Sequence, residues 1–224
     1  MTLKRGDKGF LDDIRRGLYA AVLSDVLDEV GYTAQAMRSH IRPLDDSLVL
    51  VGYARTGLYQ DVYHVAPGEN PYELEIALID DLRADEVTVF ACGATGRIAP
   101  WGELLSTAAR ARGATGCVTD GFTRDIRAIR SMNFPVFHGG IGPLDSKGRG
   151  KMSSIDEPVV CGGVRVETGD LVFGDADGVV VIPRSVEEQV LAKAFKKVTG
   201  EDKTRQDLAG GAKLKDVFER YGIL

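Results

Sequence analysis

Cysteine is scarce in this chain: three residues in 224, at positions 92, 117 and 161. An odd number at wide, irregular spacing excludes a disulfide framework, and no pair has the spacing of zinc ligands. They read as reduced core thiols of a soluble, cytoplasmic protein. Long apolar runs are also missing. No stretch reaches the ~20 residues of a membrane helix, and the N-terminal MTLKRGDKGFLDDI follows its charges with no apolar segment, so no signal peptide is expected. Positive charge is not in excess: 28 Lys and Arg stand against 33 Asp and Glu, a net charge of −5. The basic stripe of a nucleic-acid binder is therefore absent. Histidine is limited to positions 40, 64 and 138, with no HExxH. There is no GxGxxG after a strand, no GxxxxGK[ST], no GxSxG and no cysteine–histidine signature. These absences remove the nucleotide-dependent classes and the commonest nucleophilic ones.

What is abundant is glycine, 27 residues, set between short apolar runs as tight turns demand. A composition 44% hydrophobic supports a packed core. One domain over 1–224 is expected, with a helical segment at about 8–31 and another at about 185–224. Leu11, Ile14, Leu18, Val22, Val26 and Val30 keep one face apolar through 10–30, with Gly31 as the stop. Residues 48–58 and 86–92 read as strands, and Asn70-Pro71 as a helix start. Helices over 101–112 and 125–131 then alternate with short strands at 115–121 and 134–137, the first ending in an Asp120-Gly121 turn. Such alternation predicts an α/β layer with mostly buried strands. From 157 the pattern changes to glycine-linked strands, PVVCGGVRV, DLVFGDADG and VVVIP, an antiparallel or mixed β-rich part. Ser185 and Glu188 form a capping box for a long C-terminal helix, interrupted at Gly200 and Gly210-Gly211.

Three stretches have chemistry in reach. GELL at 102–105 opens a helix, whose first-turn N–H groups bind carboxylates or oxyanions. DGFTRDI at 120–126 puts Arg124 and Asp125 just after a strand end, where α/β sites form. A carboxylate there can hold a hard divalent cation, and the arginine can grip a carboxylate at two points. GDADGVV at 174–180 resembles part of a calcium loop but lacks the terminal glutamate, and reads as a hairpin turn. Each also has a plain reading taken alone: Gly102 lets Trp101 turn into a helix, and Arg124 and Asp125 form a solvated pair beside a turn. Tyr59, Tyr63 and His64 are candidates to line a pocket.

Taken together, WGELLSTAARARGATGCVTDGFTRDI (101–126), LSDVLDEVG (23–31), FPVF (134–137), PVVCGGVRVETGDLVFGDADGVVVIP (158–183) and EDKTRQDLAGG (201–211) resemble the RraA-like family, which includes the 4-hydroxy-4-methyl-2-oxoglutarate aldolases. The resemblance implies an α/β fold of the three-layer swivelling, phosphohistidine-domain-like kind, with a β-rich part and C-terminal helices. It implies a class II pyruvate aldolase, a carbon–carbon lyase that cleaves a 4-hydroxy-2-oxo acid to release pyruvate, with oxaloacetate decarboxylation as a side activity. Such enzymes carry an acidic residue, a spacer, then Arg-Asp. Here these are Glu103, residues 104–123 and Arg124-Asp125, with Glu in place of the usual Asp. By the same resemblance Asp125 ligates Mg²⁺, which Mn²⁺ can replace, and Arg124 contacts the pyruvyl group. The first turn at Gly102, through the N–H groups of Leu104 and Leu105, takes its carboxylate. Glu201 from a neighbouring subunit completes the site in a homotrimer or hexamer, and Glu103 and Glu201 position the water that serves as base. The chemistry is coherent, because a cation on the carboxylate and keto oxygens and a fixed arginine both disperse enolate charge.

Two other readings are open. Some members of the family inhibit ribonuclease E by protein contact, without physiological catalysis; those are shorter and lack the segment that carries Glu201. An older family label, demethylmenaquinone methyltransferase, requires an S-adenosylmethionine site, and no glycine-rich loop after the first strand provides one.

Overall fold

The computed structural model describes residues 5–7, 9–93 and 96–222. Residue 8 of the N-terminal helical segment and residues 223–224 of the C-terminal one lie outside the described residues. The elements run α1 (Phe10–Gly17), α2 (Ala20–Glu29), β1 (Arg42–Pro43), β2 (Leu50–Asp61), α3 (Glu73–Asp80), β3 (Glu86–Ala91), α4 (Glu103–Ala111), β4 (Gly116–Thr123) and α5 (Ile126–Ser131). There follow β5 (Val136–Ile141), β6 (Gly150–Ile155), β7 (Val159–Cys161), β8 (Val164–Val166), β9 (Leu171–Asp175), β10 (Gly178–Ile182), α6 (Glu187–Ala209) and α7 (Leu214–Tyr221).

The strands β2, β3, β4 and β5 pair in parallel, and β1, β6, β9 and β10 join them antiparallel in the order β1-β5-β4-β3-β2-β9-β10, with β6 on the distal half of β2. The two ends of this sheet approach one another. Arg42 of β1 donates to the carbonyls of Ala176 and Asp177 in the β9–β10 turn at 3.1 and 3.0 Å. Residues 35–37 hydrogen-bond along β10, through Met37 N–H to Val179 and Gln35 carbonyl from Val181, each at 2.9 Å. The sheet is thus curled almost into a barrel.

Strand alternation decides what fills it. Val87, Val89 and Ala91 of β3, Val172 of β9, and Val179 and Val181 of β10 point inward, onto the β7–β8 hairpin residues Val159, Cys161, Val164 and Val166. Their neighbours point outward on two sides. Leu171, Phe173, Val180 and Ile182 meet α1, α2 and α6. Phe90, Cys117 and Val136 meet α3, α4 and α5. Strands covered on both faces read as unbroken apolar runs, which is why EVTVFA and GVVVI show no period of two. The cysteines are buried and unpaired. Among the described residues no helix is long and apolar enough to cross a membrane.

Local expectations fail in three places. The helix over 10–30 is broken at Leu18 and Tyr19, both extended. Ala20 N–H donates to Asp175 Oδ2 at 2.8 Å, so the last residue of β9 fixes where α2 begins. The periodicity ran on because α1 and α2 bury Ile14, Val22, Leu23 and Val26 in the same cluster. Second, Ser185 and Glu188 make no capping box. Helix α6 starts at Glu187 with no side-chain cap, and Glu187 pairs with Arg5 at 3.1 Å. Gly200 does not interrupt it: Val190, Leu191 and Ala194 anchor α6 on the core, and such packing outweighs the ~1 kcal/mol cost of one glycine. Third, Asp120-Gly121 is no turn. β4 continues to Thr123, with a register shift between Thr119 and Phe122. The buried Asp120 carboxylate accepts the N–H groups of Cys92 (2.6 Å) and Gly162 (3.2 Å), tying β4 to the β7–β8 hairpin. The GDADGVV stretch is a hairpin turn, as read.

Candidate functional site

The parallel strands β3, β4 and β5 deliver their carboxyl ends to one edge of the sheet, the place where α/β folds build sites. Just past the end of β4, the chain is held to the segment that precedes α4. Trp101 and Thr123 form a parallel bridge. Arg124 N–H and the Thr123 hydroxyl both donate to the Trp101 carbonyl, at 3.0 and 3.2 Å. The Trp101 ring is fully buried, and its Nε1–H donates to Ser106 Oγ (2.8 Å), which donates in turn to the Gly102 carbonyl (2.9 Å). One indole thereby fixes the first turn of α4 against residues 123–125.

At this junction Asp125 adopts the left-handed conformation, φ 59° and ψ 36°, which acidic and amide residues tolerate better than most. Its Oδ2 accepts the Glu103 N–H at 3.1 Å, so it caps α4 from outside. Ser106 N–H starts the helical ladder by donating to the Gly102 carbonyl, which leaves Leu104 and Leu105 with first-turn N–H groups that precede the ladder. The Leu104 side chain is exposed. Gly102 is extended and serves by its lack of a side chain: a Cβ there would stand 2.6 Å from Asp125 Oδ2 and 3.2 Å from Arg124 Cγ. Gly102→Ala is accordingly expected to displace both groups and to lower any turnover that the cleft supports about 100-fold, the usual scale for a misplacement near 1 Å. Steady-state kinetics with a circular dichroism check of the fold measures this.

Arg124 lies between two carboxylates, with Nε 3.7 Å from Asp125 Oδ2 and Nη1 3.8 Å from Asp145 Oδ1. Asp145 is itself fixed: the Tyr72 hydroxyl donates to its Oδ2 at 2.7 Å and Lys147 N–H to its Oδ1 at 3.4 Å. Sequence reading missed both residues. Their only local signals are a lone acid in a Gly/Pro-rich loop and a tyrosine after Asn70-Pro71. Arg124 and Asp125 open onto a cleft of about 450 Å³ whose other lining residues are Ile126, Ile141, Gly142 and Pro143. The Glu103 side chain folds back onto its own helix, accepting from Thr107 Oγ1 at 2.8 Å. Glu201, on α6, accepts from the Tyr19 hydroxyl and lies 3.7 Å from Arg205, and within one chain it does not join the Arg124–Asp125 cleft. The pocket candidates separate: Tyr59 is buried against Phe90, while Tyr63 and His64 are exposed, Tyr63 beneath the Arg97 guanidinium.

Beneath the cleft lies a buried acid. Glu75 of α3 accepts a short hydrogen bond from the Tyr59 hydroxyl. Burial pushes its carboxyl up to about 7, and the nearby Asp145 charge adds to this, against the opposing effects of the Tyr59 bond and Arg124. Between about pH 4.5 and 7 the folded chain keeps a proton that the unfolded chain has released. The contribution of neutral Glu75 is therefore complete below pH 4.5 and is lost as pH rises to about 7. Glu75→Gln keeps an acceptor for Tyr59 and is expected to flatten that part of the stability profile, measured as Tm against pH.

The residues fit one kind of cation. Asp125 Oδ2, which accepts the Glu103 N–H, borders the space that the missing Gly102 side chain leaves open, 2.6 Å from where a Cβ would stand. No cluster of three or more His, Cys, Asp or Glu side chains suited to a metal occurs among the described residues. A soft or caged ion is not suited to that donor set, whereas Mg²⁺ accepts one carboxylate and several waters.

Comparison with known proteins adds the family. A protein of Halalkalibacterium halodurans with the provisional name 4-hydroxy-4-methyl-2-oxoglutarate aldolase is 39% identical over 191 residues, covering 85% of this chain and 84% of its own. An uncharacterised protein of Pseudomonas syringae superposes with a TM-score of 0.81 at 26% identity, covering 94% of this chain and 97% of its own. RraAS2 of Streptomyces coelicolor, described as an unusual member of the RNase ES inhibitor RraA family, superposes at 0.78 with 26% identity, covering 90% and 98%. The RraA-like family model, described as Aldolase/RraA, matches residues 20–181. With an RraA-like α/β fold and a family match over most of its length, the chain belongs to the RraA-like family.

Proposed function

We propose that this protein is a carbon–carbon lyase that releases pyruvate from a 4-hydroxy-2-oxo acid, dependent on a divalent cation held at Asp125. The observation that carries this reading is the Trp101–Thr123 bridge, which holds the first turn of α4 beside Arg124 and Asp125, two of the residues that line the cleft. The provisional aldolase names of relatives support it. Cleavage of the C3–C4 bond leaves a pyruvate enolate, so the site must bind a carboxylate and disperse charge on a neighbouring oxygen. The N–H groups of Leu104 and Leu105 suit the carboxylate. Arg124 places a fixed positive group where the enolate charge develops. When bound, Mg²⁺ or Mn²⁺ supplies Lewis acidity at the carboxylate and keto oxygens. Glu103, once its carboxylate leaves the Thr107 hydroxyl, would orient a water toward the C4 hydroxyl. Glu201 lies away from this cleft in its own chain, so its assistance requires a second copy in a trimeric or hexameric assembly.

The test is pyruvate release from 4-hydroxy-2-oxo acids and oxaloacetate, coupled to lactate dehydrogenase. Activity is expected to vanish in EDTA and return with excess Mg²⁺ or Mn²⁺, after subtraction of the metal's own decarboxylation of oxaloacetate. Full activity in EDTA overturns the metal dependence. No pyruvate from any substrate, with ribonuclease E inhibited by the same sample, favours the regulatory reading that the RNase ES inhibitor relative supports.

A further inference from the structure

Fixing the backbone of Arg124 does not by itself fix its guanidinium. The N–H bond to the Trp101 carbonyl sets the main chain, and several rotatable bonds separate it from the planar charged group. Two carboxylates face that group, Asp125 across 3.7 Å at Nε and Asp145 across 3.8 Å at Nη1. They are not equivalent. Asp125 accepts the Glu103 N–H and serves as cation ligand in the reading above, so its oxygens have other partners. Asp145 has no such task. It is not among the residues that line the cleft, so its effect on a substrate runs through Arg124.

Asp145 is held from several directions. The Tyr72 hydroxyl donates to its Oδ2 at 2.7 Å, Lys147 N–H to its Oδ1 at 3.4 Å, and Arg149 Nη1 to its carbonyl at 3.3 Å. Arg149 and Gly150 N–H both donate to the Ser146 carbonyl at 2.8 Å, which closes the loop that follows Asp145. Where that loop begins, Gly142 N–H donates to the Thr123 carbonyl at 3.1 Å, next to Arg124. Tyr72 directly precedes α3, whose Leu78 and Ile79 are buried in the core. Partial burial raises the Asp145 carboxyl, but the Tyr72 hydroxyl, the Lys147 and Ser146 N–H groups and the Arg124 charge hold it below the usual carboxylate range, so it is an anion at neutral pH. Resting on the aldolase reading above, we propose that Asp145, anchored by Tyr72, is a positioning residue that holds the Arg124 guanidinium in place at the cleft. The line from Tyr72 through Asp145 to Arg124 lies within one chain, whatever a second copy adds to the site.

Asp145→Asn keeps the shape and an acceptor for Tyr72 but loses the charge that holds the arginine. Its kcat for pyruvate release is expected to fall on the order of tenfold, less than the loss of the arginine itself would cost. KM should not rise, because an anion beside Arg124 has been removed. The melting temperature should hold, since a 3.8 Å pair with both side chains 39% exposed contributes little to folding. Tyr72→Phe removes the anchor and leaves the charge, and is expected to lower kcat roughly threefold, the scale of one hydrogen bond. The deciding measurement is the double variant. In an Arg124→Ala background, Asp145→Asn is expected to cost nothing further, whereas two independent losses would multiply. Equal losses in both backgrounds overturn the proposal and leave the aldolase reading intact. So does an unchanged kcat in either single variant, or a raised KM together with a lowered melting temperature in Asp145→Asn. A wild type that releases no pyruvate from oxaloacetate or any 4-hydroxy-2-oxo acid in Mg²⁺ is instead a failure of the aldolase reading, and the proposal falls with it.

Discussion

Asp125→Ala is expected to remove pyruvate release altogether, a fall of at least roughly 10³ in kcat/KM that excess Mg²⁺ does not restore. The size follows from the several kcal/mol of charge stabilisation that a bound metal supplies to an enolate. Among the described residues, Asp125 is the one carboxylate that lines the cleft, and no metal-binding cluster is present to take over its role. The structure adds a complication that sequence did not show. Asp125 also caps the Glu103 N–H and holds a left-handed backbone conformation. Alanine loses the cap and tolerates that conformation less well, so the melting temperature should also drop, by the equivalent of about 1 kcal/mol. Asp125→Asn separates the two effects. Its amide oxygen can accept the same N–H, and asparagine tolerates positive φ, so the fold should be kept while the anionic ligand is lost. Loss of turnover in Asp125→Asn at wild-type stability supports the metal role. Activity recovered by either variant in Mg²⁺ would show that Asp125 does not hold the cation.

Arg124→Ala is expected to lower kcat by roughly 10²–10³, the cost of removing one preorganised charge-stabilising donor. Its side chain is 39% exposed and its two ion pairs are long, 3.7 and 3.8 Å, so little folding free energy is at stake. The fold should survive, as a thermal melt would show. The carboxylates of Asp125 and Asp145, 3.7 and 3.8 Å from the arginine, would then have no cation between them. That predicts a second symptom: weaker binding of any anionic ligand, read as a higher KM or as lost oxalate affinity by calorimetry. Arg124→Lys restores charge but not the planar fork, so it should recover only part of the activity. Full turnover in Arg124→Ala on every active substrate would remove Arg124 from the mechanism.

The sequence by itself was enough for the α/β rhythm and for the parts of the site that are local. Helices α3, α4 and α5 and strands β2 to β5 follow from apolar periodicity and turn residues. The adjacency of Arg124 and Asp125, and the small residue before α4, are visible in a line of text. Weak elements were not legible. Strand β6 carries Lys151, Ser153 and Ser154, and β1 is two residues long, so neither presents a hydrophobic pattern; both exist because the strands beside them offer hydrogen bonds. The break between α1 and α2 was hidden for the opposite reason, since one apolar stripe continues across it.

What only the tertiary structure decided is which distant residues meet. Twenty-two positions separate Glu103 from Asp125, and the parallel bridge at Trp101 and Thr123 brings them to 3.1 Å. Tyr72 reaches Asp145 across 73 positions, and Asp145 then faces Arg124. No local propensity encodes such contacts. They arise because a curled sheet with helices on its outer face sends several strand ends to one edge, where loops of unrelated sequence are forced together. The raised carboxyl of Glu75 has the same origin: a glutamate in a helix becomes unusual only when α3 is pressed onto Tyr59 and Phe90 and water is excluded.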